Sequence, residues 1–126
     1  MATITDAGIT AVARRLNGSG ADAAFAHIAT GTGSTAESTS QTALVTENTA
    51  NGSGRATATC TQENTGDSKW VRTFNFTGNV TVREIGIFNA PSAGTMLLRH
   101  VLASDRAYEN GQSLEITITN TTSRSA

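Results

Sequence analysis

Few residues in this chain are of a type that binds metal ions or acts as a nucleophile. The candidates are two histidines and one cysteine: His27, His100 and Cys60. None of them belongs to a spacing that suits a zinc site, such as Cys-x2-Cys or His-x3-His. Because His27 and His100 each stand within an apolar stretch, we predict histidines at the edge of a core rather than metal ligands.

The residues for nucleophilic and acid–base catalysis form no recognisable arrangement either. Serine and threonine are abundant, but no Gly-x-Ser-x-Gly elbow occurs. Cys60 follows Ala58 and Thr59 in an alternating segment, which favours a buried, unreactive thiol over a nucleophile. The acidic residues are scattered through predicted turns and strand exteriors. The sequence therefore predicts no catalytic, cofactor-binding or metal-binding residue.

Two further segments have features of binding motifs. Gly31-Thr32-Gly33 lacks the Lys-Ser/Thr pair and the following helix of a phosphate-binding loop, so we interpret it as a tight turn whose glycines take positive φ. Trp70, Phe74 and Phe76 share one face of a predicted strand, where exposed rings would form a base-stacking platform. Because aromatic residues make up only 5% of the chain, we predict that the core requires these three rings.

The composition favours a single small domain built from β-strands. A chain of 126 residues suits one domain with one core. Charged residues make up 15% of the chain, against about 25% in ordinary domains. Threonine is the most frequent residue and replaces much of the missing charge. Because threonine is β-branched and suits a pleated surface, this bias predicts β structure.

The charge pattern and the N-terminal segment argue against several classes of partner and location. A net charge of −1 without a Lys/Arg cluster provides no electrostatic attraction to nucleic acid. The apolar runs are far shorter than a membrane span, so we expect no membrane association. The N-terminal segment lacks the basic and apolar regions of a secretion signal. A lone cysteine forms no internal disulfide, which fits folding in a reducing cytoplasm.

Residues 5–16 are the one predicted helix. Thr5 suits the N-cap position, and Asn17-Gly18 suits the C-terminal stop. Three apolar residues fall on one face at helical spacing: Ile9, Val12 and Leu16. Because so short a helix is marginal alone, we expect it to dock on another surface.

The remainder of the chain predicts six or seven strands separated by Gly, Asn and Ser. The clearest segments are residues 25–30, 55–62, 70–76, 80–87, 96–102 and 114–118. Residues 34–53 are typical of a long polar loop with a brief edge strand at Leu44-Val45. Apolar residues fall on even-numbered positions at Val80 and Val82 and on odd-numbered positions at Ile85 and Ile87. This change of parity near Arg83-Glu84 implies a β-bulge or a strand buried on both faces.

These patterns predict one mainly β domain over residues 1–126. We expect an antiparallel β-sandwich, similar to a jelly roll, with one short N-terminal helix. It would carry an N-terminal arm and helix over about residues 1–17 and a C-terminal arm over about residues 120–126. We expect these arms and the 34–53 loop to be available to clasp a neighbouring molecule.

Five segments, in order along the chain, carry a distinctive set of residues. They are Thr5-Asp6-Ala7-Gly8 before the helix, HIATGTGST at 27–35, TAL at 42–44, Gly54-Arg55, and VREIGIFNAPSAGTMLLRHVL at 82–102. The matching residues of the last and most distinctive segment are Glu84, Gly86, Phe88, Gly94, Met96 and Arg99. In these segments the chain resembles a group of short tailed-bacteriophage virion proteins of the tail-fibre-like or head-decoration kind.

The resemblance implies a non-enzymatic structural protein of the virion, assembled in the cytoplasm of the host bacterium. A capsid decoration or cement protein of this kind binds and stabilises the assembled head shell. It is expected to be a homo-oligomer, with a trimer at the threefold positions of the shell. Its expected partners are the major capsid protein or other virion proteins, bridged by several modest contacts acting together.

Two alternatives to a capsid decoration protein stay open. A tail-associated protein (a fibre, collar or tail-tip component) requires the same β scaffold. Because no long extension follows the last distinctive segment, we favour a compact role on the head over a fibre. The other alternative is an enzyme or a carbohydrate-binding module, and a sugar platform would need an exposed Trp70.

Overall fold

A computed structural model describes residues 2–124 of the chain. Over these residues the chain forms eight strands and one α-helix. In chain order the elements are β1 (Thr3–Ile4), α1 (Asp6–Asn17), β2 (His27–Gly31), β3 (Ala56–Thr57), β4 (Thr59–Gln62), β5 (Asp67–Asn75), β6 (Val80–Phe88), β7 (Met96–Tyr108) and β8 (Ser113–Thr121).

The strands form two antiparallel sheets. The large sheet has the strand order β1-β7-β6-β2-β3, and the small sheet has the order β4-β5-β8. The chain leaves the large sheet for the small one at Ala58, which divides the single strand predicted for residues 55–62 into β3 and β4. The prediction of a mainly β, sandwich-like fold with one N-terminal helix is confirmed.

The main core lies between the inner faces of the two sheets. Strand register aligns Ile28, Ile87 and Leu98 in one row across β2, β6 and β7. All three are buried in a cluster that also contains Ile116 of β8 in the small sheet. Apolar burial of this kind is the main favourable contribution to folding, so this layer holds the two sheets together.

The aromatic side chains supply much of this core. Trp70, Phe74 and Phe76 are all buried, which confirms their predicted place in the interior. The indole Nε1 of Trp70 donates a hydrogen bond to the carbonyl oxygen of Phe25 at 2.6 Å, so its one polar group is satisfied. The ring of Phe76 packs on that of Tyr108, with the two centroids 4.8 Å apart.

Strand β6 is buried on both faces from Glu84 to Phe88. Its register with β7 shifts between Val82 and Glu84. The parity change near Arg83-Glu84 therefore marks a β-bulge. It also marks the start of the part of the strand that is buried on both faces, so both predicted explanations apply. Beyond the shift, the face of the large sheet that points away from the small sheet is buried as well.

Helix α1 begins and ends where the sequence predicts. The Oγ1 atom of Thr5 accepts a hydrogen bond from the backbone N–H of Gly8 at 2.9 Å, and Gly18 caps the other end with a φ of 70°. The helix approaches β7 closely at Gly8, where an added Cβ would lie 2.8 Å from the Cα of Leu97. Glycine is therefore needed at this contact for steric reasons.

The face that α1 presents to the domain does not carry its large apolar residues. The buried residues of the helix are Gly8 and Ala11, whereas Ile9, Val12 and Leu16 are 57%, 40% and 84% exposed. The helix therefore docks on β7 through its small residues and not through these three side chains. The close approach at Gly8 explains the difference, because it turns the small residues toward β7 and leaves the large ones outside.

The segments expected to form arms pair within the chain itself. Thr3 and Ile4 pair with β7, and Asn120 and Thr121 pair with β5. Of the segments predicted as arms, residue 1 and residues 125–126 lie outside the described residues. Both segments lie at the edge of a sheet, so each pairs with a neighbouring strand of the chain on one side of its backbone only.

Truncation of Phe76 or of Phe88 tests the assignment of the buried aromatics. Each ring is almost fully buried, so Phe76→Ala and Phe88→Ala should each lower the free energy of unfolding by about 3–5 kcal/mol. Urea denaturation measures this loss. Val45→Ala is the control, because Val45 is half exposed and should change stability by less than about 0.5 kcal/mol. Equal losses in all three variants would contradict the core assignment.

Candidate functional site

The outer face of the large sheet carries a buried carboxylate. Glu84 is fully buried and accepts a hydrogen bond from the Nε atom of Arg99 at 2.8 Å. It also accepts hydrogen bonds from the backbone N–H groups of Gly33, Val45 and Thr46 at 2.8, 2.9 and 2.8 Å. These three donors belong to the loop that follows β2, so one side chain of the sheet binds both the start of that loop and its middle.

Arg99 completes this arrangement from the neighbouring strand. Its Nη1 atom donates to the carbonyl oxygen of Thr35 at 2.8 Å and to Oε1 of Gln41 at 3.2 Å. The side chain is 1% exposed, so its charge is balanced almost entirely by Glu84 and these loop oxygens. We call Glu84, Arg99 and the loop groups that they bind the Glu84–Arg99 clamp.

Two glycines allow the clamp to close. A Cβ on Gly31 would lie 2.6 Å from the Oε2 atom of Glu84, and a Cβ on Gly33 would lie 2.5 Å from the same oxygen. Neither glycine takes a positive φ, so the interpretation of Gly31-Thr32-Gly33 as a positive-φ turn is wrong. Here glycine is required by the close approach of a carboxylate.

A small apolar cluster lies beside the clamp under the same loop. It consists of Ala29, Leu44, Phe88 and Met96, all buried. Gly86 makes room for it, because a Cβ there would lie 2.9 Å from a methyl carbon of Leu44. The predicted edge strand at Leu44-Val45 does not form: the loop pairs with β2 only through a bridge between Gly31 and Glu47.

Arg55 fastens the far end of the loop. Its guanidinium group makes two hydrogen bonds with the carboxylate of Glu47, at 2.7 and 3.0 Å. The same group lies over the ring of Phe88, 3.6 Å from the centroid, and donates to the carbonyl oxygens of Ala90 and Ala93 at 3.0 and 2.8 Å. It therefore joins the loop to the β6–β7 turn by paired charges and a cation–π contact.

A second carboxylate, that of Glu37, attaches the first part of the loop to the sheet. Glu37 accepts hydrogen bonds from the Oγ1 atom of Thr3 at 2.7 Å and from the backbone N–H of Val101 at 2.8 Å. The Nδ1 atom of His100 lies 3.5 Å from its Oε2 atom. Residues 34–53 are thus attached to the sheet at several points.

The clamp changes the acidity of its carboxyl group. Burial by itself would raise the pKa of Glu84, but the hydrogen bonds from Thr46, Arg99, Val45 and Gly33 outweigh it and hold the pKa below 4.5. The carboxylate is therefore ionised at neutral pH. Because its oxygens are already occupied by these donors, the arrangement suits a structural role better than proton transfer.

The structure does not bring the sequence-predicted candidates together. His27 lies on β2 and His100 on β7, with β6 between them, and both are partly buried at sheet positions. Cys60 lies on β4 in the other sheet. Among residues 2–124, no group of three or more His, Cys, Asp and Glu side chains is placed to hold a metal ion.

Cys60 is exposed, so the prediction of a buried thiol is wrong. It lies on the outermost strand of the small sheet, where one side of the backbone has no neighbouring strand. Partial burial of the sulfur nevertheless raises the pKa of the thiol above 9.0. The thiolate is the reactive form, so this raised pKa lowers the fraction of reactive thiol at neutral pH.

Sequence analysis missed the clamp because it assigned the acidic residues to turns and strand exteriors. Glu84 is fully buried. The available signal was the parity change at Arg83-Glu84: a strand buried on both faces that contains a glutamate requires a cationic partner. Arg99, in the next strand, is that partner.

One apolar area of the surface stands out. Among residues 2–124, three of the four large hydrophobic side chains that are exposed belong to α1: Ile9, Val12 and Leu16. We call these residues the α1 patch. Beside it is a cavity of about 380 Å³, the α1 groove, whose walls include Val12, Arg15, Leu16, Phe25, Trp70 and Leu97.

No helix within the described part of the chain has the length and apolar character that a membrane crossing requires. Comparison with known proteins gives no relative: no protein-family model matches the chain, and no curated protein matches it either.

Neutralising Glu84 tests the clamp. Glu84→Gln keeps the shape of the side chain but leaves Arg99 buried without its counter-charge and turns an amide N–H₂ toward backbone donors. The free energy of unfolding should fall by about 3–5 kcal/mol. The matched control is Glu115→Gln on an exposed strand position, where a loss below about 0.5 kcal/mol is expected. Similar small losses for both variants in urea denaturation would show that the clamp does not stabilise the fold.

The lowered pKa of Glu84 also predicts how stability depends on pH. A carboxyl group whose folded pKa is depressed contributes stability above its unfolded pKa, and that contribution disappears as pH falls through the folded value. The free energy of unfolding should therefore decline below about pH 4.5. Glu84→Gln should decline less steeply, because it lacks this titration. Parallel pH profiles of the two proteins, measured by urea denaturation, would contradict the assignment.

Proposed function

We propose that this chain is a non-enzymatic structural protein of a tailed-bacteriophage particle, a decoration protein that cements the capsid shell. The observation that carries the proposal is the exposed α1 patch on an otherwise fixed β scaffold. A contiguous group of large apolar side chains on a protein surface usually marks a site of interaction with another protein. The scaffold presents this patch without using it in its own core.

The residues behind the resemblance to virion proteins support the proposal by their position. The matching glutamate, arginine, phenylalanine and methionine of the 82–102 segment all belong to the clamp or to the apolar cluster beside it. Gly31 and Gly33 of the 27–35 segment, Leu44 of the TAL segment and Arg55 join the same assembly. The shared pattern thus describes one structural unit, in which a long loop is fastened to a sheet.

A fastened loop suits a protein that works by docking. A surface ordered before binding loses less conformational entropy when it meets a partner. In a decoration protein each copy bridges adjacent shell subunits, and several contacts of about 800 Å² per partner act together. Oligomerisation, with a trimer expected at the threefold positions of the shell, provides these multiple contacts.

Quantifying the chain in purified particles of the phage that encodes it tests the proposal. Mass spectrometry and gel densitometry against the major capsid protein should give a ratio near one to one, and antibody–gold labelling should cover the head. Particles without the protein should lose their DNA at a lower temperature. Gold confined to one pole, with few copies per particle, would instead establish the tail-associated alternative. Absence from the particle would refute both.

A further inference from the structure

We propose that the α1 patch is the contact between copies of this chain, and that Leu16 of one copy enters the α1 groove of another. The inference deepens the proposed function, because it names the surface through which the oligomer forms. It depends on three features of the structure: the projection of Leu16, the groove beside it and the amount of apolar surface available.

The patch and the groove form a projection and a recess on one surface. Leu16, the most exposed large hydrophobic side chain described, stands at 84% exposure. It forms part of the rim of the groove, whose apolar walls include Phe25, Trp70 and Leu97. A surface that carries both a projection and a recess can bind another copy of itself, because the projection of one copy can fill the recess of the next.

The amount of apolar surface suits such a contact. At their exposed fractions, the three side chains of the patch present on the order of 300 Å², the size at which an apolar patch on a monomer is usually functional. A standard interface buries about 800 Å² on each partner, of which somewhat over half is apolar. The patch together with the groove walls therefore supplies most of the apolar part of one standard contact.

Helix α1 has few buried residues of its own, so it would be stabilised most by a partner that covers its exposed face at all times. Within the domain, α1 buries only Gly8 and Ala11 among its residues, and twelve residues are marginal as a helix in water. Its three large apolar side chains stay 57%, 40% and 84% exposed within the domain, so a second surface that covers them adds apolar burial. A second copy is available wherever the chain is made, whereas a shell protein covers the patch only after assembly.

The charges around the patch do not oppose self-association. Arg14 is already paired with Asp22 through two hydrogen bonds of 2.6 and 2.7 Å, and Arg15 donates to the carbonyl oxygen of Asp22. The net charge of the chain is −1, so long-range repulsion between copies is weak.

Substitution of Leu16 in the full-length purified protein tests the inference. Sedimentation velocity and light scattering over a range of micromolar concentrations should show an oligomer for the wild type. Leu16→Lys should weaken the association about 30-fold or more, the effect of losing a central interface residue. Leu16→Ala, which keeps helix propensity, should weaken it in the same direction. The control is Val45→Lys, the same change in charge at another exposed aliphatic residue, which should associate as the wild type does.

Trp70 provides a second measurement, because it lines the groove. Its emission should shift with concentration in the wild type and in Val45→Lys, but not in Leu16→Lys. A wild type that stays monomeric over the whole range would overturn the inference, as would a Leu16→Lys variant that associates normally. Either result leaves the proposed function intact if the protein still covers phage heads, so failures of the two proposals are distinguishable.

Discussion

The buried ion pair between Glu84 and Arg99 constrains much of the structure around it. Burying two charges is costly unless each is paired and hydrogen-bonded. Here the carboxylate receives four hydrogen bonds, three of them from the backbone of one loop. The free-energy cost of burying the charges is therefore offset only when the loop follows the path that brings its three N–H groups to the carboxylate. Glycine at positions 31 and 33 follows from that path, because the carboxylate occupies the space that a Cβ would need.

This arrangement also explains how a chain with a limited supply of apolar residues forms a stable domain. One face of the large sheet is covered by the small sheet, and most of the aromatic rings lie between them. The opposite face is covered by the loop that follows β2. Beneath this loop lies a four-residue apolar cluster, and polar contacts from Glu37, Arg55 and the ion pair hold the rest of the loop in place. On this face, hydrogen bonds and paired charges therefore hold the loop against the sheet, because the small apolar cluster alone would be insufficient.

The elements of the fold follow from local patterns in the sequence. The N-cap at Thr5, the stop at Gly18 and the alternation in the later strands are short-range signals, and the helix and strands form where these signals predict. The parity change at Arg83-Glu84 identified the bulge for the same reason. The candidate site was predictable only in part. Periodicity finds the apolar face of α1, but it cannot show that Gly8 and Ala11, rather than that face, pack against β7. Nor does it show that Glu84 meets backbone groups some forty to fifty residues away in the sequence.

The loop held by Glu84 has a kinetic consequence. The three backbone N–H groups bound to Glu84 are 38 to 51 residues from it in sequence, so this part of the fold has high contact order. It can form only after β6 and β7 have paired and presented both charges. The loop should therefore order last during folding. Because one carboxylate holds all three amides, we expect those of Gly33, Val45 and Thr46 to exchange their hydrogens together, through an opening of the loop that leaves the two sheets folded.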